Sequence, residues 1–240
     1  MEKRHWLTRL SILAPYAWLV AFFLVPFLII LKISLSQTAM AQPPYEPLFD
    51  LSAGWEGLKA FFAGLSLDSY AGIFADPLYV WSYWKSLQIA AISTAILLLT
   101  GYPVAYAMAR APRRWQGVLV LLVVLPLYAA LERMDETLLE AAADLGAPPW
   151  RAFARVTVPL SRPGIVAGCL LCFIPITGEF VIPDLLGSSS TAMIGQVLWL
   201  EFFGNRDWPV ASALAVVLLV LLVTPITIYR QREARQLERS

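Results

Sequence analysis

Four carboxylates, Glu179, Asp184, Glu201 and Asp207, lie in the last third of the chain, interleaved with Trp199, Phe202 and Trp208. Carboxylates together with aromatic faces are the groups that hold organic cations, through charge and through the ring quadrupole. Glu179 sits near the outer end of an apolar run. Carboxylates inside a bilayer are rare and usually face a cavity or a partner charge. Pro175, Gly178 and Pro183 weaken the helix around it, and broken helices often line solute paths. Each residue also has a plainer reading. Glu179 would serve in a structural ion pair or as an acid snorkelling to the interface. The other acids would serve as a solvated loop surface or a docking surface for another protein, and the rings as an interfacial belt. Catalysis fits poorly. His5 is the single histidine, and no nucleophile–base or metal constellation is present. Cys169 and Cys172, three apart in an apolar run, read as small apolar fillers. No phosphate-cradling glycine loop of the P-loop type occurs, so any ATP must be bound by another chain, and no cofactor is expected on this one.

The elements that must position these residues are membrane spans. The chain is 59% apolar and 15% charged, with a mean hydropathy of +0.66. That composition belongs to a polytopic membrane protein. Clear apolar spans run from about Leu10 to Leu31, Ser86 to Met108, Gly164 to Ile182 and Val210 to Tyr229. Of the 18 Lys and Arg residues, all but Lys32, Lys59, Lys85 and Arg206 fall in segments flanking one side of these spans. The positive-inside rule then places both termini in the cytoplasm and makes Leu31 to Ser82 an outer loop with short helices. Trp81, Trp84, Trp199 and Trp208 sit at interfacial depth. Ala39-Met40-Ala41 resembles a cleavage site, but the preceding apolar run is long for a signal peptide and carries Pro15 and Pro26.

A polar island, Glu140 to Pro159, interrupts this pattern. Helix-forming residues from Asp135 to Leu145 end at Gly146. Pro148-Pro149 starts a second helical run, Trp150 to Val158, that should stop at Pro159. Two short helices turned at Gly146 make a docking handle. Glu140 and Asp144 are like-charged and share a face, which calls for a basic partner, and Arg151 and Arg155 offer the opposite charge. The run Val118 to Leu131 fits less well. Basic residues flank it on both sides, so it must cross an even number of times. Its fourteen residues span only ~21 Å as a helix, too short for one comfortable crossing of a ~30 Å core. A re-entrant hairpin with Pro126 at its tip would satisfy that count, but it would be unusually short.

Glu140-Ala141-Ala142, Gly146 and Val156-Thr157-Val158-Pro159 resemble the EAA loop of ABC importer permeases. The block Ile174 to Gly187, then Met193-Ile194-Gly195, Glu201-Phe202-Phe203 and Asn205-Arg206-Asp207-Trp208-Pro209, is similar to the putrescine/spermidine branch of that family. The resemblance implies an all-α, polytopic bundle of the type I importer kind, a single domain over residues 1–240, with six spans expected and the coupling loop at about 132–162. Relatives of that kind carry two full spans and an outer hairpin where this chain has Val118 to Leu131, which implies a segment missing between Val123 and Tyr128, Val118 to Pro126 opening one span and Leu127 to Leu131 closing the next. It implies that Glu140, Ala141, Ala142, Gly146, Arg151 and Pro159 engage a cytoplasmic ATPase. It implies a substrate path that includes Glu179, Asp184, Trp199, Glu201, Asp207 and Trp208. The expected partners are ATPase subunits, a second permease, a periplasmic polyamine-binding protein and the lipid of a bacterial inner membrane, with no nucleic acid. A permease for another small solute, or a shortened subunit that does not transport, are the alternatives.

Overall fold

The computed structural model describes residues 13, 15–48, 54–109, 137–187 and 191–237. In chain order these form helix α1 (Pro15–Ser34), strands β1 (Gln37–Thr38) and β2 (Tyr45–Glu46), α2 (Gly54–Ala63), α3 (Asp68–Ala75) and α4 (Pro77–Ala109). They continue as α5 (Thr137–Asp144), α6 (Pro149–Thr177), α7 (Val181–Leu186), α8 (Ile194–Gly204) and α9 (Trp208–Leu237). Helices α1, α4, α6 and α9 are long and apolar enough to cross a membrane. Only a helix satisfies its own backbone in lipid, which is why these apolar runs take that form. Phe22, Phe23, Ile29, Leu99 and Leu171 are exposed along them, as lipid-facing residues are.

Two compact units divide the chain, with the boundary inside α4 after Tyr83. The first holds residues up to Tyr83 and from Phe180 onward. Its core is Ile73, Tyr83, Ile194, Val197, Ala213 and Leu214. The Tyr83 hydroxyl donates to the Leu214 carbonyl at 2.6 Å, so the phenol is satisfied as it is buried. The β1–β2 ladder is antiparallel, pairing Gln37 with Glu46 and Thr38 with Tyr45. The second unit, Trp84 to Glu179, packs Tyr102 and Ala105 of α4 against Phe153, Val158 and Ile165 of α6.

Three boundaries differ from the sequence reading. The second span begins at Pro77, inside the stretch assigned to a loop, because Asp76 caps it by accepting from the Leu78 N–H at 2.8 Å. The helix that should stop at Pro159 runs on unbroken into the third span. A π turn over Phe153–Thr157 passes the ladder on, with the Val158 N–H bonding to the Phe153 carbonyl. Pro159, which has no N–H to donate, then sits in the first turn of regular helix, where none is needed. That span ends at Thr177 rather than Ile182, capped by Gly178. The stretch Val118 to Leu131, with the break expected between Val123 and Tyr128, lies outside the described residues.

Candidate functional site

The first unit gathers its polar and aromatic residues at the end carrying the β-hairpin. Asp207 precedes α9. Its Oδ1 accepts from the Val210 N–H at 3.1 Å and from the Thr38 hydroxyl at 2.8 Å, so it caps the helix and ties it to β1. Glu201 is buried, and its two oxygens accept from the Tyr79 hydroxyl at 3.0 Å and the Asn205 amide at 2.9 Å. A buried carboxylate needs such donors to remain in place. The turn between them places Arg206 at φ 57°, a left-handed conformation uncommon outside glycine.

Rings connect these acids into a strip. Phe180 stacks on Trp199 at 4.7 Å, and Trp199 leans on Phe203 at 4.1 Å. Phe203 meets Phe202 edge-on at 4.9 Å, and Phe202 lies parallel to Trp208 at 5.1 Å. Trp208 reaches Tyr45 of β2 at 6.1 Å. The strip ends on a cation: Lys32 Nζ sits 4.0 Å from the Tyr45 ring centroid. Beside the hairpin is a cavity of about 480 Å³ lined by residues that include Ser36, Thr38, Asp68, Asp76 and Tyr79. That volume suits a small solute.

The second unit carries the polar loop. Helix α5 ends in a Schellman turn, with the Gly146 N–H bonded to the Ala143 carbonyl at 2.8 Å and the Ala147 N–H to that of Ala142 at 3.0 Å. Gly146 is at φ 75°, and open space surrounds the position a Cβ would take. Leu145 is 88% exposed and Trp150 is 66% exposed. The Arg151 guanidinium lies 5.1 Å from the Trp150 ring. Among the described residues, none of Glu140, Asp144, Arg151 and Arg155 forms a salt bridge. Phe153, just inside the π turn, is held edge-on by Tyr102 at 5.7 Å and Tyr106 at 5.2 Å. About two turns on, Ser161 and Tyr102 share a hydrogen bond of 2.7 Å.

Residues 118–233 match the family described as binding-protein-dependent transport system inner membrane component. The spermidine/putrescine transport system permease protein PotB of Haemophilus influenzae is 29% identical over 281 positions, covering 92% of this chain and 92% of that protein. PotB of Salmonella typhimurium is 32% identical over 224 positions, covering 68% of this chain and 78% of that one. The chain belongs to the inner-membrane permeases of binding-protein-dependent transport systems. It is therefore a membrane transport subunit, not an enzyme. A permease chain from a bacterial ABC transporter that imports alginate shares its fold, with a TM-score of 0.64 over 96% of this chain and 97% of that one, at 16% identity.

In this permease the residues singled out in sequence fall into two groups. Trp199, Glu201, Asp207 and Trp208 are brought together at the hairpin end. Asp184, in the first turn of α7, belongs to the same unit but is exposed, with the Gln196 amide 3.4 Å from its Oδ1. Glu179 belongs to the other unit, half-buried just past the cap of α6, where its N–H donates to the Ile176 carbonyl at 3.2 Å. Glu140, Ala141, Gly146 and Arg151 are exposed on the polar loop, with Ala142 and Pro159 half-covered. Sequence reasoning missed Lys32, Tyr45, Asp68, Asp76 and Tyr79. Lys32 was legible as a lone cation at the end of an apolar run. The others carry no local signal, since only the hairpin and the short helices bring them to this end.

Proposed function

We propose that this permease is a path-forming subunit of a polyamine importer, carrying putrescine and spermidine inward by alternating access. The observation that carries the reading is the match to a spermidine/putrescine permease across 92% of both chains. The rings at the hairpin end, with Asp68 and Asp76 on the neighbouring cavity, have the chemistry an ammonium chain requires. In this reading the hairpin end faces the periplasm and receives the cation from a binding protein. The α5–α6 loop and both termini lie in the cytoplasm, where the arginines cluster. Glu140 to Pro159 docks on an ATPase subunit, and a second permease completes the path. Glu179 faces that path. The test is uptake of labelled putrescine and spermidine at limiting concentration, with the neighbouring transport genes co-expressed in cells that lack polyamine import. Saturable uptake competed by polyamines is expected. Uptake competed only by another solute would overturn the substrate.

One observation bears on the completeness of the path. The Haemophilus match spans 281 positions, but 92% of 240 residues is about 221, so about 60 positions have no residue of this chain. The Salmonella match spans 224 positions against 68% of this chain, about 163 residues, and leaves the same shortfall of about 60. The permease YdcU of Escherichia coli matches over 100 positions and 42% of this chain, with no such shortfall. A segment of that size holds two crossings and a loop, and losing two crossings preserves the orientation of everything after it. We infer that this segment is absent after Pro126. Intact mass of the membrane-extracted chain tests it, together with uptake after grafting the corresponding Haemophilus segment there. A mass matching 240 residues, with uptake only after grafting, identifies a shortened, transport-incompetent subunit. A mass larger by about 60 residues would show that the segment is present in the working protein.

A further inference from the structure

The geometry points to a primary-alkylammonium site at the hairpin end, filled in this structure by the chain's own Lys32 and suited in its chemistry to one end of a linear diamine. This inference rests on the polyamine reading only for the identity of the natural ligand. The site is built from three elements. Lys32 enters from the end of α1, and its ammonium donates to the Pro47 carbonyl at 2.6 Å. The Tyr45 ring covers it at 4.0 Å, and the Phe61 ring of α2 lies at 5.5 Å. A carbonyl acceptor and two ring faces are the parts that recognise an ammonium without needing a carboxylate. The parts are fixed by the fold. Tyr45 is held in register by its pairing with Thr38, whose hydroxyl is bound to Asp207. Pro47 packs so closely on Gly64 that an added Cβ there would lie 3.1 Å from its ring.

The occupant identifies the ligand class. A lysine side chain is four methylenes ending in a primary ammonium, the same unit that forms one end of a 1,4-diammonium chain. What the box holds from within, it can hold from outside. Lys32 is only half-buried, so it is not sealed in place. A free ammonium that takes its place breaks the link from Lys32 to the Pro47 carbonyl. It also arrives at the end of the ring strip, since Tyr45 leads directly to Trp208.

The test uses the assembled transporter in nanodiscs, with Lys32→Ala. This variant keeps Cβ and removes three carbons and the ammonium, so n-propylammonium is the missing piece. Melting should fall by about 3 °C for the loss of such a contact in a chain of this size. Millimolar n-propylammonium or 1,4-diaminobutane should recover at least half of that fall. 1-Propanol, and tetramethylammonium with no N–H, should not match it. Adding Tyr45→Leu should abolish the recovery. Equal effects of propanol and propylammonium, or recovery that survives Tyr45→Leu, would overturn the site. If Lys32→Ala does not accumulate, Lys32→Met keeps the stem and drops the charge; melting equal to the native chain would also overturn it. Uptake separates the two readings. Recovery without polyamine uptake leaves the site standing and removes the substrate. Polyamine uptake without recovery does the reverse.

Discussion

The hairpin end and the α5–α6 loop hold residues of the same kinds in opposite conditions. At the hairpin end the acids are engaged: Glu201 by Tyr79 and Asn205, Asp207 by Thr38 and the start of α9. Its rings stack on one another. On the loop, Leu145 and Trp150 stand in solvent, and the charges of Glu140, Asp144, Arg151 and Arg155 form no salt bridge among the described residues. Large apolar side chains exposed beside open charges are the anatomy of a contact surface awaiting its partner. An acid at a suggestive position is therefore weak support for ligand binding until its own hydrogen bonds are counted. Exposure of the loop's anchors is the stronger sign.

The largest effect should come from the loop's geometry. Gly146→Val places a β-branched residue at φ 75°, costing about 1–2 kcal/mol with no clash to blame. Uptake should fall at least about tenfold while ATP hydrolysis continues. Gly146→Asn, which tolerates that conformation, should stay near the native rate. Equal rates for Val and Asn would remove the turn from coupling.

Next are the anchors. Leu145→Asp or Trp150→Ala should weaken binding of the ATPase by about 2 kcal/mol, as loss of a central aromatic or apolar contact does. Melting of the permease alone should move little, because both side chains are mostly exposed. A shift in melting without a loss of ATPase binding would make them structural.

The third comparison sets two acids against each other. Glu201→Gln turns a donor toward Tyr79 or Asn205 and should cost about 1–3 kcal/mol of stability, with uptake per folded molecule unchanged. Glu179→Gln should lower uptake severalfold at limiting substrate. Unchanged uptake at equal membrane abundance would make Glu179 structural. The smallest effect is expected from Asp207→Ala. Losing the cap of α9 costs about 1 kcal/mol, a melting shift of about 2–4 °C. No shift would mean that Thr38 and the strip hold the helix start without it.

Much of this arrangement was legible along the chain. Gly146 followed by Pro148-Pro149 marked the turn, because αL geometry and a fixed φ leave a local signature. The apolar runs marked the spans, because lipid admits little else. Pro159 misled, since proline marks a helix end only when its missing N–H falls where one is needed, and the π turn ahead of it removed that need. The internal partners of the outer acids were legible only in part. Asp207 before Trp208-Pro209 could have been read as a helix cap, but Glu201 had no local sign of its partner, Tyr79, more than a hundred positions earlier.

The sequence by itself determined the membrane habit, the four spans among the described residues, the turn at Gly146 and the family. All of these rest on composition or on spacing within one turn or one span, over which the backbone is the only geometry required. Tertiary structure decided which acids are engaged, which rings touch and where Lys32 lodges. Those outcomes depend on residues such as Thr38 and Asp207 meeting across the fold, and side-chain pairing over that separation is set by packing, not by local order.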